Sequence, residues 1–150
     1  MRKLQCLFCL ACGVVLVVAG CGGGGGGGDA RSVQVELTVP AGAAPAGVTP
    51  TVTPKTTADY PQLAGDAFVA AAECLPHGTT FTQPVTLTFR LVTALGASDN
   101  VLLFQSDAAN NWTQVPGAQV TVSADRLTVT VGNLSAFTDN GRFALLKVIP

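Results

Sequence analysis

The side chains in this 150-residue sequence best suited to chemistry are five cysteines and one histidine. Cys6, Cys9 and Cys12 have a Cys-x-x-Cys spacing that suits metal or redox chemistry. They lie in an apolar stretch behind Met1-Arg2-Lys3, however, and a targeting segment has no fold to hold a site. Cys74 is flanked by Glu73 and Leu75 and lacks the neighbouring cation that would activate a thiol, so it is expected to be a small buried hydrophobe. His77 sits in a Pro-His-Gly turn with no partner pattern for a triad or a zinc site, and is expected to be solvated. Asp99, Asp107, Asp125 and Asp139 fall in loop-like segments without the Asp-x-Asp-x-Asp spacing of a calcium loop. Trp112 and Tyr60 offer aromatic faces on which a ligand ring would stack, although Trp112 also suits a cover over one end of the core. No pair of titratable groups forms a catalytic constellation, so neither an enzyme nor a cofactor is expected.

The remaining cysteine, Cys21, belongs to the segment around which the chain is organised. A basic start, an apolar run from Leu4 to about Val18, and small residues before Cys21 have the tripartite form of a signal peptide. Val18-Ala19-Gly20-Cys21 resembles the lipobox of bacterial lipoproteins: aliphatic, small, small, then the cysteine that receives lipid. The resemblance implies cleavage between Gly20 and Cys21 and a thioether-linked lipid on Cys21. With about 0.8 kcal/mol per buried methylene, two or three acyl chains hold a protein durably on a membrane. Gly22 follows Cys21 where an aspartate would direct inner-membrane retention, so an outer-membrane location is expected if the source is Gram-negative. Seven consecutive glycines, Gly22–Gly28, lack the preceding strand and following helix of a phosphate loop and form a flexible tether. With Asp29, Ala30 and Arg31 the tether spans roughly 17 Å on average and about 35 Å when extended. The expected organisation is a signal peptide over 1–20, a lipidated tether over 21–31, and a domain over 32–150.

Without Arg2 and Lys3, six of the eight basic side chains remain against nine acidic ones, a formal charge of −3. No basic stripe neutralises phosphates, and nucleic acid is not an expected partner. Mean hydropathy is +0.44, yet no later apolar run approaches the roughly 20 residues of a membrane span. Cys74 is the only thiol left in the domain, so core packing rather than a disulfide must stabilise it.

From Ser32 the hydrophobic period is two. Val33, Val35, Leu37 and Val39 alternate with polar residues, and Pro40 ends the strand. Residues 41–62 carry prolines at 45, 50, 54 and 61, which exclude helix and leave room for a short edge strand near Val48–Thr53. Phe68, Ala70, Ala72 and Cys74 are expected on one face of the next strand. Val85, Leu87, Phe89 and Leu91 form the clearest inner face, with Pro84 at the strand's start and Thr86, Thr88 and Arg90 pointing outward. Short strands follow at Val101–Gln105 and from Trp112. Val120 and Val122 turn into Leu127, Val129 and Val131 as a hairpin, and strands at Leu134–Thr138 and Arg142 to about Val148 complete the chain. About eight short strands without a credible helix give an all-β antiparallel sandwich or barrel.

Leu37-Thr38-Val39-Pro40-Ala41-Gly42-Ala43 resembles the opening of the ZU-five domain, named for zonula occludens proteins and netrin receptors. Leu75-Pro76-His77-Gly78-Thr79-Thr80-Phe81-Thr82-Gln83-Pro84-Val85-Thr86-Leu87 is similar to that domain's Pro-x-Gly-x-x-Phe-x-x-Pro-Val-x-Leu core. Leu103, Trp112, Val129–Val131 and Asn133–Phe137 resemble its closing strands, so the likeness covers about residues 33–145. It implies a β-sandwich that mediates protein contacts. Some members cut themselves at a His-Phe-Ser sequence. The aligned residues here are Asn133, Leu134 and Ser135, where an amide replaces the base, so the bond before Ser135 is expected to stay whole. The expected function is a membrane-anchored, non-enzymatic envelope protein that presents its sandwich to a protein partner. The alternative is a module that binds polysaccharide or peptidoglycan, with Trp112 or Tyr60 as its platform.

Overall fold

Strict alternation leaves each strand one hydrophobic face, and two sheets must stack to bury those faces. The computed structural model describes residues 14–17 and 32–148, and does so as two antiparallel five-stranded sheets. The strands are β1 (Val14–Val17), β2 (Ser32–Val39), β3 (Thr51–Lys55), β4 (Phe68–Leu75), β5 (Thr80–Leu91), β6 (Asn100–Ser106), β7 (Trp112–Gln114), β8 (Gln119–Val122), β9 (Thr128–Ala136) and β10 (Arg142–Val148). The first sheet runs β1-β2-β5-β9-β8 and the second β3-β4-β10-β6-β7. A single 3-10 turn at Pro61–Leu63 is the helical content of the described residues, none of which form a helix long and apolar enough to cross a membrane. The expected cleavage site at Gly20 and Cys21 and the glycine tether lie outside the described residues.

The core forms where the inner faces meet. Val35, Leu37, Val85, Leu87, Phe89, Val129 and Val131 of the first sheet pack with Val69, Ala70, Ala72, Cys74, Leu103, Phe143 and Leu145 of the second. Phe89 stands between Val35 and Val129 in register, while Thr88 stands between Glu36 and Thr130 on the opposite face. The expected inner face of β5 is therefore the observed one.

Five local expectations need correction. The edge strand β3 starts at Thr51 rather than Val48, because the turns through Pro40–Ala43 and Pro45–Val48 close by hydrogen bonds and use up that stretch. In β4, Val69 is an extra residue opposite Leu145 and Leu146, so Phe68 turns away from Ala70, Ala72 and Cys74 onto the outer face. Strand β5 begins at Thr80, before Pro84, and its pairing with β9 is interrupted between Thr80 and Val85. Gly132-Asn133 does not end a strand, because β9 runs through it as a bulge with Asn133 at φ 62°. The bulge sets Leu134 rather than residue 133 facing inward, and Leu134 is buried. Leu127, expected in the hairpin's apolar face, lies in the turn and is exposed.

Val14–Val17 falls within the apolar run before Cys21, and it pairs antiparallel with β2. Val14 stands opposite Val39 and Val17 opposite Glu36.

Candidate functional site

The outer face of the second sheet carries the most elaborate side-chain arrangement of the described residues. β4 is buried on both faces, since Phe68 and Ala71 face outward yet are fully covered. The cover is the segment before β4, which places Tyr60 and Leu63 over Phe68, Ala71 and Ala144, with Trp112 and Leu146 at its side. A hydrogen-bonded turn over Thr56–Tyr60 positions it. Asp59 accepts hydrogen bonds from the Thr56 amide and hydroxyl, and Pro61 opens the 3-10 turn immediately after Tyr60.

Tyr60 and Trp112, 52 positions apart by their residue numbers, are brought into contact here. Their ring centroids are 5.4 Å apart at 59°. The Arg142 guanidinium carbon lies 5.6 Å from the Tyr60 ring centroid, a cation–π distance. Tyr60 is only 4% exposed, so protein already covers the faces of its ring, while Trp112 is half-buried. The Tyr60 hydroxyl and Trp112 Nε1 are both buried without a protein hydrogen-bond partner. Burial, with the charge of Glu73, pushes the Tyr60 phenol well above its ordinary pKa, so it stays protonated.

Glu73 organises the charges beside this pair. It is opposite Arg142 and Thr53 in register, bonds Lys55 Nζ at 3.0 Å, and lies 3.5 Å from His77 Nε2. Burial acts to raise its pKa, but the hydrogen bond and charge of Lys55, with His77 and Arg142, outweigh it and hold the carboxyl below its ordinary value. This grouping was not expected from sequence. Its one signal was Glu73 itself, the only charge in the apolar run Phe68–Leu75. The arrangement orients and covers an outer face, and it includes no nucleophile activated by a base.

The other candidates are separate from it in role. Cys74 is fully buried in the main core, and burial, aided by the Glu73 charge, pushes its thiol far up and keeps it neutral. His77 is partly exposed in its turn, as expected, with Glu73 as a partner the sequence did not indicate. Asp107 and Asp125 are acceptors within their own loops, and Asp99 also reaches a lysine of β10. Asp99 pairs with Lys147 at 2.8 Å and accepts the Gly96 amide, while Asp107 accepts the Ala109 and Asn111 amides and the Asn111 side chain. Asp125 accepts the Ser123 hydroxyl and the Leu127 amide. Hydrogen bonds from Lys147, Asn111 and Ser123, respectively, lead in lowering these three carboxyls. Among the described residues no three acidic, cysteine or histidine side chains converge as metal ligands. Asn133 donates its side-chain amide to the Gly117 carbonyl at 2.9 Å, beside an exposed Ser135. An amide so engaged has no means of taking the serine proton.

No curated protein matches the sequence. The family profile of the ZU5 domain matches residues 17–107. The matched segment takes in β2 through β6, includes the Pro76–Leu87 motif in its second half, and ends before Trp112 and Ser135. It starts at Val17, upstream of Cys21. With more than half of its length matched and a two-sheet antiparallel architecture, this chain belongs to the ZU5 domain family.

Proposed function

We propose that the chain is a lipid-anchored, non-enzymatic envelope protein whose sandwich binds a protein partner. Membership of a family of protein-interaction domains carries the second half of this reading. The anchor rests on Val18-Ala19-Gly20-Cys21 behind a basic and apolar start, followed by a seven-glycine tether. Lipid on Cys21 would hold the domain within a few tens of ångströms of the bilayer while leaving it free to reorient, which favours contact with other envelope proteins. In a Gram-negative source the membrane would be the outer one.

Phase separation in detergent tests the anchor. Wild type is expected to partition into the detergent phase and Cys21→Ser to lose lipid and remain aqueous or unprocessed, as read by intact mass. Equal partitioning of lipid-free forms would refute the lipobox. In-cell crosslinking with mass spectrometry tests the partner class. Recovery of cross-linked envelope proteins supports protein binding, whereas retention on isolated cell wall that Trp112→Ala abolishes would support polysaccharide binding instead.

A further inference from the structure

A sheet edge exposes unpaired N–H and C=O groups, and natural proteins blunt such edges with prolines, short strands or charges. Of the four sheet edges among the described residues, three are blunted. β3 is five residues long with Pro54 inside it, β7 has three residues, and β8 has four. β2 is different: it has eight residues, Ser32–Val39, with no proline and one charge, Glu36. Among the described residues its far side is capped by Val14–Val17 alone, which pairs along Glu36–Val39. That cap lies upstream of Cys21, so processing at the proposed lipobox removes it.

We propose that β2 is a strand-acceptor edge. The precursor fills it with its own Val-Val-Leu-Val segment, and the mature protein fills it with an extended, uncharged aliphatic segment of its protein partner, antiparallel to Glu36–Val39. This inference rests on the lipid-anchor reading and specifies how the partner is held. Main-chain hydrogen bonds to a sheet edge supply affinity, and sockets for alternate side chains supply specificity. A socket lies at the end of the slot. Leu37 and Val39 continue into a groove of about 230 Å³ with Ala44, Pro45 and Val48 among its walls. In register these two β2 residues stand opposite Leu16 and Val14, so those are the guest-strand positions paired with the groove's β2 wall. The seated segment thus shows both the direction of the guest strand and its chemistry.

The test uses the detergent-solubilised full chain and a labelled peptide copying Gly13–Ala19, with a Leu16→Pro version as control. Intact mass reports whether the first 20 residues have been removed. Processed wild type is expected to bind the peptide, to bind the proline version at least about tenfold more weakly, and to slow hydrogen exchange at residues 36–39 when peptide is added. Unprocessed Cys21→Ser protein, with its edge already filled, is expected not to bind. Val48→Asp in processed protein is expected to weaken binding, while Val92→Asp, at an exposed position away from the groove, leaves it unchanged. Processed protein that binds neither peptide, or both equally, overturns the inference and leaves the anchor standing. Wild type that retains residues 1–20 overturns both.

Discussion

Replacing Phe89 by Ala is the most direct probe of the sandwich. Phe89 is completely buried between Val35 and Val129, in the central strand of the first sheet and against the second. The change removes a ring from close-packed surroundings whose backbone is tied on both sides by strand pairing, so the void has little scope to collapse. The expected cost is about 3–5 kcal/mol, against a total of roughly 5–15 kcal/mol for a domain of this size. Urea unfolding followed at Trp112, the only tryptophan, reads the effect. With a slope of about 2 kcal/mol per molar urea, the midpoint should fall by roughly 1.5–2.5 M. Trp112 lies on the outer face of the other sheet, so its signal reports loss of the whole structure rather than repacking around residue 89. Thr88→Ala, one residue away and facing outward between Glu36 and Thr130, should cost under about 1 kcal/mol. A one-residue slip in register would exchange the two results. Equal costs would refute a half-buried β5.

Three further outcomes follow from particular contacts. Gly141→Ala should destabilise by more than about 3 kcal/mol in the same assay, because a Cβ there would overlap the Cys74 carbonyl oxygen and lie 2.7 Å from His77 Cδ2, at φ 61°; a change under 1 kcal/mol would disprove that close approach. Cys74 should react with a thiol reagent slowly in native protein and quickly in denaturant, since its thiol is buried and held neutral; rapid native labelling would refute burial. Glu73 has a lowered pKa in the folded protein, so its contribution is fully present above its ordinary value of 4.5 and is lost as pH falls through the lower folded value. Glu73→Gln should therefore cost about 0.5–1 kcal/mol at neutral pH and progressively less as pH falls below 4.5, and a pH-independent difference would refute the charge-based account.

The sequence predicts the inner face of β5 because its signal is local: four hydrophobic residues at period two, with polar residues between them. It also predicts β2 on the same grounds, and β6 and β10 as short apolar runs set off by turn residues. Phe68 shows where local pattern ends. It continues the alternation of Ala70, Ala72 and Cys74, yet the bulge at Val69 turns it outward, and that bulge is defined only by the pairing of β4 with β10. Leu134 is the same case in β9, where Asn133 in a left-handed conformation adds a residue and restores an inward side chain. Tyr60 and Trp112 were each identifiable as aromatic residues of interest. Their contact depends on a loop folding over the outside of a sheet, which no periodicity encodes. Glu73 draws its partners from β3, the turn after β4, and β10, three segments that only the strand order brings together.

The outward turn of Phe68 has a physical cause that the bulge in β9 does not share. A sandwich whose sheets were covered on their inner faces alone would need only period two, and β5 follows that rule over Val85–Leu91, with Thr86, Thr88 and Arg90 pointing outward. The second sheet has an additional layer outside it. To support that layer, β4 must present hydrophobic side chains on both faces, and the bulge at Val69 delivers Phe68 to the outer one, beneath Tyr60. The unbroken apolar run Phe68–Ala72 is the sequence trace of this arrangement. A strand buried on both faces reads as continuous rather than alternating, so the run signals a covered outer face even though it does not identify the cover.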